Sequence, residues 1–171
     1  MPNRRGATPQ PYRLVRVVPV VQTHDLAGAS LTVVSLEIYA ETFLVHTHLR
    51  YTVEKQANEV AQEGEASPAT WRRANLVSPE VLFEATDNLG ASYGCWSGGG
   101  YGGGATPGEM LWRRDYVFAP ALGAEARALR LVVSAIEWVS HDPAQPGPTV
   151  AATQPVGWTL TVPLSSAASA A

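Results

Sequence analysis

The alternation of apolar and polar residues is clearest between positions 43 and 53. Every second position there carries one of a largely apolar set: Phe43, Val45, Thr47, Leu49, Tyr51 and Val53. The positions between them carry Leu44, His46, His48, Arg50 and Thr52. A period of two residues places successive side chains on opposite faces of an extended chain. The pattern therefore predicts an antiparallel strand with one buried face and one solvated face.

Shorter apolar patterns predict seven further strands, at 13–22, 30–39, 81–86, 91–94, 112–118, 128–139 and 156–164. In the first, the apolar phase changes near Pro19. Proline cannot donate to a ladder, so we expect an edge strand or a bulge there. A first strand that breaks and moves between two sheets would account for both the proline and the change of phase. In the second, the phase changes at Val33–Val34, which predicts a bulge. Asp87–Gly90 has turn chemistry, because Asn and Gly tolerate positive φ.

About eight short strands without a convincing long helix are typical of an all-β domain. The pattern predicts an immunoglobulin-like antiparallel β-sandwich of about 7–9 strands, with a closed barrel as the alternative. The residues expected inside are Phe43, Val45, Leu49, Tyr51, Leu129, Leu131, Val133, Trp158 and Leu160. The chain of 171 residues suits one such domain, at 12–164, between flexible tails at 1–11 and 165–171.

Three segments between the strands lack apolar periodicity. Positions 54–69 read EKQANEVAQEGEASPA and predict a solvated loop, with a short helix as the less favoured alternative. Positions 140–154 are rich in proline and predict a linker. Ser97–Gly108 reads SGGGYGGGATPG, and so many glycines predict a loop rather than a packed strand. We expect this loop to be the functional element.

Four aromatic residues lie in or beside this glycine-rich segment, namely Tyr93, Trp96, Tyr101 and Trp112. One or two of them are expected in the core. The others would offer flat contact surfaces with few rotatable bonds to a protein or a sugar. These four are the predicted partner-binding residues.

The stretch from Asp87 to Leu131 resembles a family of bacterial immunoglobulin-like β-sandwich domains, over about a quarter of the chain. In that family an Asp-Asp-x-Gly-x-x-Tyr turn precedes a Gly-rich loop, a Phe-x-Pro-x-Leu segment and a Leu-x-Leu strand. The matching residues are Asp87, Gly90, Tyr93, Phe118, Pro120, Leu122, Leu129 and Leu131, while Asn88 replaces the second Asp. The resemblance implies the fold and brings no reaction with it.

Charge and cysteine usage restrict the possible partners and compartment. Charged residues make up 16% of the chain, the net charge is -3, and no basic run exceeds two residues. Nucleic-acid binding is therefore not expected, because a phosphate-tracking surface needs clustered Lys and Arg. No signal peptide or membrane-spanning stretch is visible, and Cys95 has no second cysteine to pair with. The cytoplasm is the expected location, with an exported protein whose leader has been removed as the alternative.

No motif predicts catalysis. His46 and His48 point to the same face of a strand and have the spacing of two metal ligands, but a metal site needs at least a third. GGGYGGG lacks the Gly-Lys-Ser/Thr of a phosphate-binding loop, and no Gly-x-Ser-x-Gly occurs. We therefore expect no catalytic residue, bound metal or cofactor, and no small-molecule substrate.

These observations favour a non-enzymatic interaction or assembly module that binds a protein partner, or a second copy of itself, through the glycine-rich segment or a sheet edge. A carbohydrate-binding sandwich with Trp96, Tyr101 and Trp112 as stacking platforms is the alternative. A metal-dependent enzyme built on His46 and His48 ranks third.

Overall fold

The computed structural model describes residues 13–26, 28–52, 76–106, 109–141 and 147–164, which contain eight strands and no helix. The strands are β1 (Leu14–Leu26), β2 (Ala29–Tyr39), β3 (Phe43–Thr52), β4 (Leu76–Asp87), β5 (Ser92–Thr106), β6 (Glu109–Ala119), β7 (Ala128–His141) and β8 (Thr149–Pro163). The predicted all-β class is confirmed. No helix in the described residues has the length and apolar character needed to cross a membrane.

The strands form one curled antiparallel sheet, a half-barrel, in the order β1-β2-β3-β6-β5-β4-β7-β8. The ladders are long except between β4 and β5, which pair only at Ala85↔Tyr93 and Thr86↔Ser92. Beyond these two pairs, β4 and β5 separate. We call this opening the seam. It divides the sheet into a five-stranded half that ends at β5 and a three-stranded half that begins at β4.

Both halves contribute side chains to one apolar core. Aromatic rings join the halves, because Phe83 of β4 lies 4.8 Å from the ring of Tyr116 and 6.4 Å from that of Phe118. Eight of the nine predicted core residues are buried, namely Phe43, Val45, Leu49, Tyr51, Leu129, Leu131, Val133 and Leu160. Trp158 is half-buried and stacks on His24 of β1 at 5.2 Å.

The two predicted irregularities occur where the apolar phase changes. The β1–β2 register shifts between Pro19 and Gln22, and the β2–β3 register shifts between Val33 and Ser35. However, β1 does not move between sheets as expected, because it pairs with β2 on both sides of Pro19. A local bulge absorbs the change of phase.

The expectation of a loop over Ser97–Gly108 was wrong for residues 97–106, and residues 107–108 lie outside the described part of the chain. β5 continues to Thr106 and pairs with β6 along this segment, with shifts at Ser97/Gly100 and Gly104/Thr106. The expected linker at 140–154 was also too long, because β7 reaches His141 and β8 begins at Thr149. The predicted tail at 1–11, the whole of the predicted loop at 54–69, and the tail at 165–171 lie outside the described residues.

Candidate functional site

The four predicted partner-binding residues do not share one surface. Tyr93 and Trp112 belong to the inner face of the sheet, where both contact the core. Trp96 and Tyr101 face outward, because they pair in register with Val117 and Arg113, which alternate with the inward residues of β6. A ligand on either face therefore meets only two of the four rings.

Tyr93 stabilises the turn between β4 and β5. Its side chain is 7% exposed, and its ring packs edge-on against Phe43 at 5.1 Å. The hydroxyl donates to Asp87 Oδ2 at 2.7 Å, while Asp87 Oδ1 accepts the backbone N–H groups of Leu89 and Ala91, both at 2.9 Å. Gly90 completes the turn with a φ of +87°, which glycine adopts without strain. Tyr93 thus has a structural role.

The contacts of this turn shift the pKa values of its side chains, and hydrogen bonds connect the turn to the start of β7. The Tyr93 hydroxyl, followed by the backbone amides, lowers the pKa of Asp87 despite the opposing effect of burial. Burial and the bond to Asp87 raise the pKa of Tyr93 to about 12. Asn88 Oδ1 accepts the backbone N–H groups of Arg127 and Ala128 at 2.7 and 3.0 Å, which ties the turn to the start of β7.

Glycine at positions 100 and 102 leaves room for side chains of β6. A Cβ at Gly102 would lie 1.9 Å from Cε3 of Trp112, and one at Gly100 would lie 3.1 Å from Cγ of Arg114 and 3.0 Å from the Arg113 carbonyl oxygen. The indole of Trp112 thus covers the backbone of its cross-strand neighbour and stands in for the missing side chain. In contrast, nothing lies within 4 Å of a Cβ built at Gly99 or Gly103.

Tyr101 is a large and mostly exposed side chain of this strand, at 66% exposure. Its hydroxyl accepts a hydrogen bond from Arg113 Nη1 at 3.1 Å, and the guanidinium carbon lies 5.7 Å from the ring centroid. The residues around it, Gly99 to Gly103, are all exposed. Arg113 therefore holds a large aromatic surface toward solvent.

Beyond Tyr93, β5 pairs with β6 alone among the described strands. In an antiparallel ladder, alternate residues direct their N–H and C=O groups away from the paired strand. The seam side of Gly99–Gly103 consequently presents a row of backbone groups that no described strand pairs with. We call this the β5 edge. The sequence does not reveal this edge, because such a density of glycine is typical of a loop. The arginine and tryptophan that follow in β6 were the signal that could have identified it.

The other strand edges carry features that discourage pairing. β1 has Pro19 and two register shifts, and β8 has Pro155 and Pro163. Proline on an edge strand removes a donor and blocks ladder extension. The seam side of β4 is filled by β6 side chains: the Tyr116 hydroxyl accepts the Val81 N–H at 2.9 Å, and Arg114 Nη2 donates to Glu80 Oε1 at 2.6 Å.

A polar cluster occupies the outer face of β2, β3 and β6. His46 Nδ1 lies 2.7 Å from Asp115 Oδ1, and His46 Nε2 lies 3.2 Å from Glu37 Oε2. Tyr39 donates to the same Glu37 oxygen at 2.6 Å. That bond is the main cause of the lowered pKa of Glu37, and it raises the pKa of Tyr39 to about 12. The cluster joins three strands on the outer face.

His46 and His48 lie on one face of β3 as predicted, but the structure adds no further ligands. Both ring nitrogens of His46 face carboxylates, and partial burial followed by the charge of Arg113 lowers the pKa of His48. Among the described residues, no group of three or more His, Cys, Asp or Glu side chains is arranged to hold a metal ion. The arrangement suits a hydrogen-bonded polar network across strands.

Comparisons with known proteins give similarity in fold only. No protein-family model matches the chain, and no curated protein matches it. A solved structure, described as the crystal structure of the conserved domain protein from Bacillus anthracis, is similar with a TM-score of 0.52 and 14% sequence identity. The similarity covers 88% of this chain and 49% of that chain, so this chain spans about half the length of that protein. At this identity, the likeness extends to the all-β architecture.

Proposed function

We propose that this chain is a non-enzymatic interaction or assembly module that binds a protein partner through the β5 edge. One observation carries the proposal: Gly99–Gly103 is a fully exposed segment of β5, and its residues 100–103 pair on one side with β6 and, among the described residues, with nothing on the other. Such an edge is a template for an added strand.

The chemistry of the edge favours an extended polypeptide as the ligand. Backbone hydrogen bonds supply affinity when a strand is added to a sheet edge, and side-chain contacts supply specificity. The glycines leave the backbone open to close approach, because they carry no side chains. Tyr101 adds one exposed aromatic contact that Arg113 holds in place.

The strand order supports the further proposal that the domain is an immunoglobulin-like sandwich with one added strand. In that arrangement strands A, B, E and D form one sheet and C, F and G the other. The order β2-β3-β6-β5 corresponds to the first sheet and β4-β7-β8 to the second. β5 then corresponds to strand D, an edge strand, and β1 is an addition beside strand A.

Carbohydrate binding has less support than strand addition. A stacking platform needs rings that share a surface, and Trp112 lies against Gly102 on the inner face. Trp96 and Tyr101 pair with Val117 and Arg113 of β6, four positions apart. That places their backbones roughly 14 Å from each other along the strand.

Hydrogen exchange tests strand addition directly. The protein is purified with its partner at native expression, and amide exchange is compared in the complex and in the free chain. We expect slower exchange at Gly99–Gly103 in the complex, because the partner strand bonds these backbone groups. Unchanged exchange at these amides, with a partner bound, would place the binding surface elsewhere.

Side-chain variants test the same edge. Tyr101→Ala removes the exposed ring, and Gly103→Lys adds the residue that commonly protects sheet edges. Leu89→Ala is the matched control, because Leu89 has a similar exposure of 62% but lies in the β4–β5 turn. We expect the first two variants to bind the partner more weakly than the wild-type chain and the control to bind it equally well. Equal retention by all three would contradict the proposal.

A further inference from the structure

The sequence of the β5 edge is symmetric about Tyr101. Positions 98 to 104 read Gly-Gly-Gly-Tyr-Gly-Gly-Gly, the same in both directions. When two identical strands pair antiparallel around a two-fold axis, a residue n positions before the centre lies opposite the residue n positions after it in the other copy. Pairing centred at Tyr101 therefore places tyrosine opposite tyrosine and glycine opposite glycine throughout the segment.

We propose that the partner of the β5 edge is the β5 edge of a second copy of this chain, antiparallel and centred at Tyr101. This inference rests on the function proposed above and names its partner. The five-stranded halves of the two copies then join through β5 into one continuous sheet of ten strands. The interface is isologous, so it closes at two copies and leaves no further β5 edge.

Steric and electrostatic features of the segment agree with self-pairing. Tyr101 is the single residue with a side chain among the seven, so no other side chains meet across the pair. No charge lies within the segment, which avoids the penalty for like charges directly opposite each other. Gly99 and Gly103 lie in open space on either side of Tyr101. Directly opposed aromatic residues in antiparallel strands attract each other.

The tyrosine also sets the register. A shift of two residues would place Tyr101 opposite a glycine and lose the aromatic pair. A shift of one residue would place the two Tyr101 rings on opposite faces of the joined sheet. Among the self-pairings of this segment, the one centred at Tyr101 keeps both rings directly opposed on the outer face.

Disulfide trapping tests this register while Tyr101 is kept. Gly99→Cys and Gly103→Cys are made separately in a Cys95→Ser background, because Cys95 is exposed and would cross-link. In the proposed dimer, position 99 lies opposite position 103 of the second copy. Opposed Cα atoms are about 4.5–5.5 Å apart, within the range of about 4.4–6.8 Å that a disulfide spans. Like positions are separated by about 14 Å along the strand, which is too far.

We expect a mixture of the two variants to form disulfide-linked heterodimers under mild oxidation, while each variant alone stays monomeric on a non-reducing gel. A mass tag on one variant identifies the heterodimer. Equal cross-linking by a single variant would show a different register and overturn the proposal. No cross-linking in the mixture would overturn self-pairing itself.

Sedimentation equilibrium separates the failure of this inference from the failure of the proposed function. We expect the wild-type chain to shift from monomer toward dimer with rising concentration. Tyr101→Ala should raise the dimer dissociation constant by up to about five-fold, and Leu89→Ala should leave it unchanged. A wild-type monomer at every concentration overturns the self-pairing. If another protein then slows exchange at Gly99–Gly103, strand addition still stands. If no partner does so, both proposals fail.

Discussion

β4 and β5 face each other across the seam, but their edges differ in the hydrogen-bond partners that the described residues provide. On the β4 side, the Tyr116 hydroxyl accepts the Val81 N–H and Arg114 bonds both Pro79 and Glu80. On the β5 side, the described structure supplies no equivalent partners beyond Tyr93. Side chains of β6 thus satisfy backbone groups of the β4 edge from inside the core, and none of the described residues does the same for the β5 edge. An opening in a sheet is a binding edge only where nothing from the same chain fills it.

A second contrast lies within β5. Its first residues are fixed by the buried Tyr93 and the bonded turn at Asp87. Its later residues are glycines that rest on Trp112 and Arg114 of β6. The start of β5 is therefore an anchor that is fixed by the core and the turn, whereas the exposed part is held in place by side chains of β6.

The largest expected effect is a loss of folding stability from a change in the core next to β4. Leu131 is fully buried and pairs with Ala85 of β4. Leu131→Ala should lower the free energy of unfolding by about 2–5 kcal/mol, because it removes buried methyl groups and leaves a cavity. Denaturant unfolding gives the value. Leu82→Ala, at an exposed position of β4, is the control and should cost well under half as much. A loss near zero for Leu131→Ala would show that this side of the seam does not depend on the shared core.

Removing one hydroxyl on each side of the seam tests the comparison directly. Tyr116→Phe should cost about 1–3 kcal/mol, because it leaves the buried Val81 N–H without its acceptor. Tyr101→Phe loses only an exposed bond to Arg113 and should change stability by less than about 0.5 kcal/mol. Thermal or urea unfolding distinguishes them. Similar costs would mean that the two edges are supported equally.

Glycine replacement separates the covered positions of β5 from the open ones. At Gly102→Ala, contact with the Trp112 ring should cost about 1–3 kcal/mol, partly offset by about 0.5–1 kcal/mol from the lower freedom of the unfolded chain. The net loss is on the order of 1 kcal/mol. Gly103→Ala meets nothing within 4 Å and should be neutral or slightly stabilising. Trp112→Ala combined with Gly102→Ala should be less destabilised than the sum of the two single changes.

The anchor of β5 should give a weak but distinctive acid dependence. The pKa of Asp87 is lowered below its ordinary 3.8, first by the Tyr93 hydroxyl. A carboxylate with a depressed pKa contributes stability that is present above about pH 4 and is lost as the pH falls through its folded-state value. Asp87→Asn should therefore flatten the dependence of unfolding free energy on pH below about 4. Tyr93→Phe should flatten it in part. An unchanged acid slope in both variants would show that this turn is not an electrostatic anchor.

The strand positions were largely predictable, because local alternation reports which residues face a core. The strict alternation of β3 located its inward residues, and phase changes located the bulges of β1 and β2. The Asp87 turn was identified from residues whose side chains and backbone freedom act within a few positions. Such features depend only on residues that are close together in the chain, so a single sequence is enough to predict them.

The candidate site was only half predictable. Tyr101 was identified from its position among glycines, and it is exposed. Its strand was not identified, because the glycines are held in β5 by Trp112 and Arg114 of the next strand. The inner positions of Tyr93 and Trp112 likewise depend on pairing register, which the segment alone does not contain.

By itself, the sequence determined an all-β chain, the approximate positions of its strands other than β5, the tight turn at Asp87 and the unusual composition around Tyr101. The tertiary structure alone decided that the glycine run is a strand, that β4 and β5 separate, and that Tyr116 and Arg114 fill one side of the gap. The reason is physical. Alternation and turn chemistry act over a few residues, whereas the partners of an edge come from strands far away in the chain.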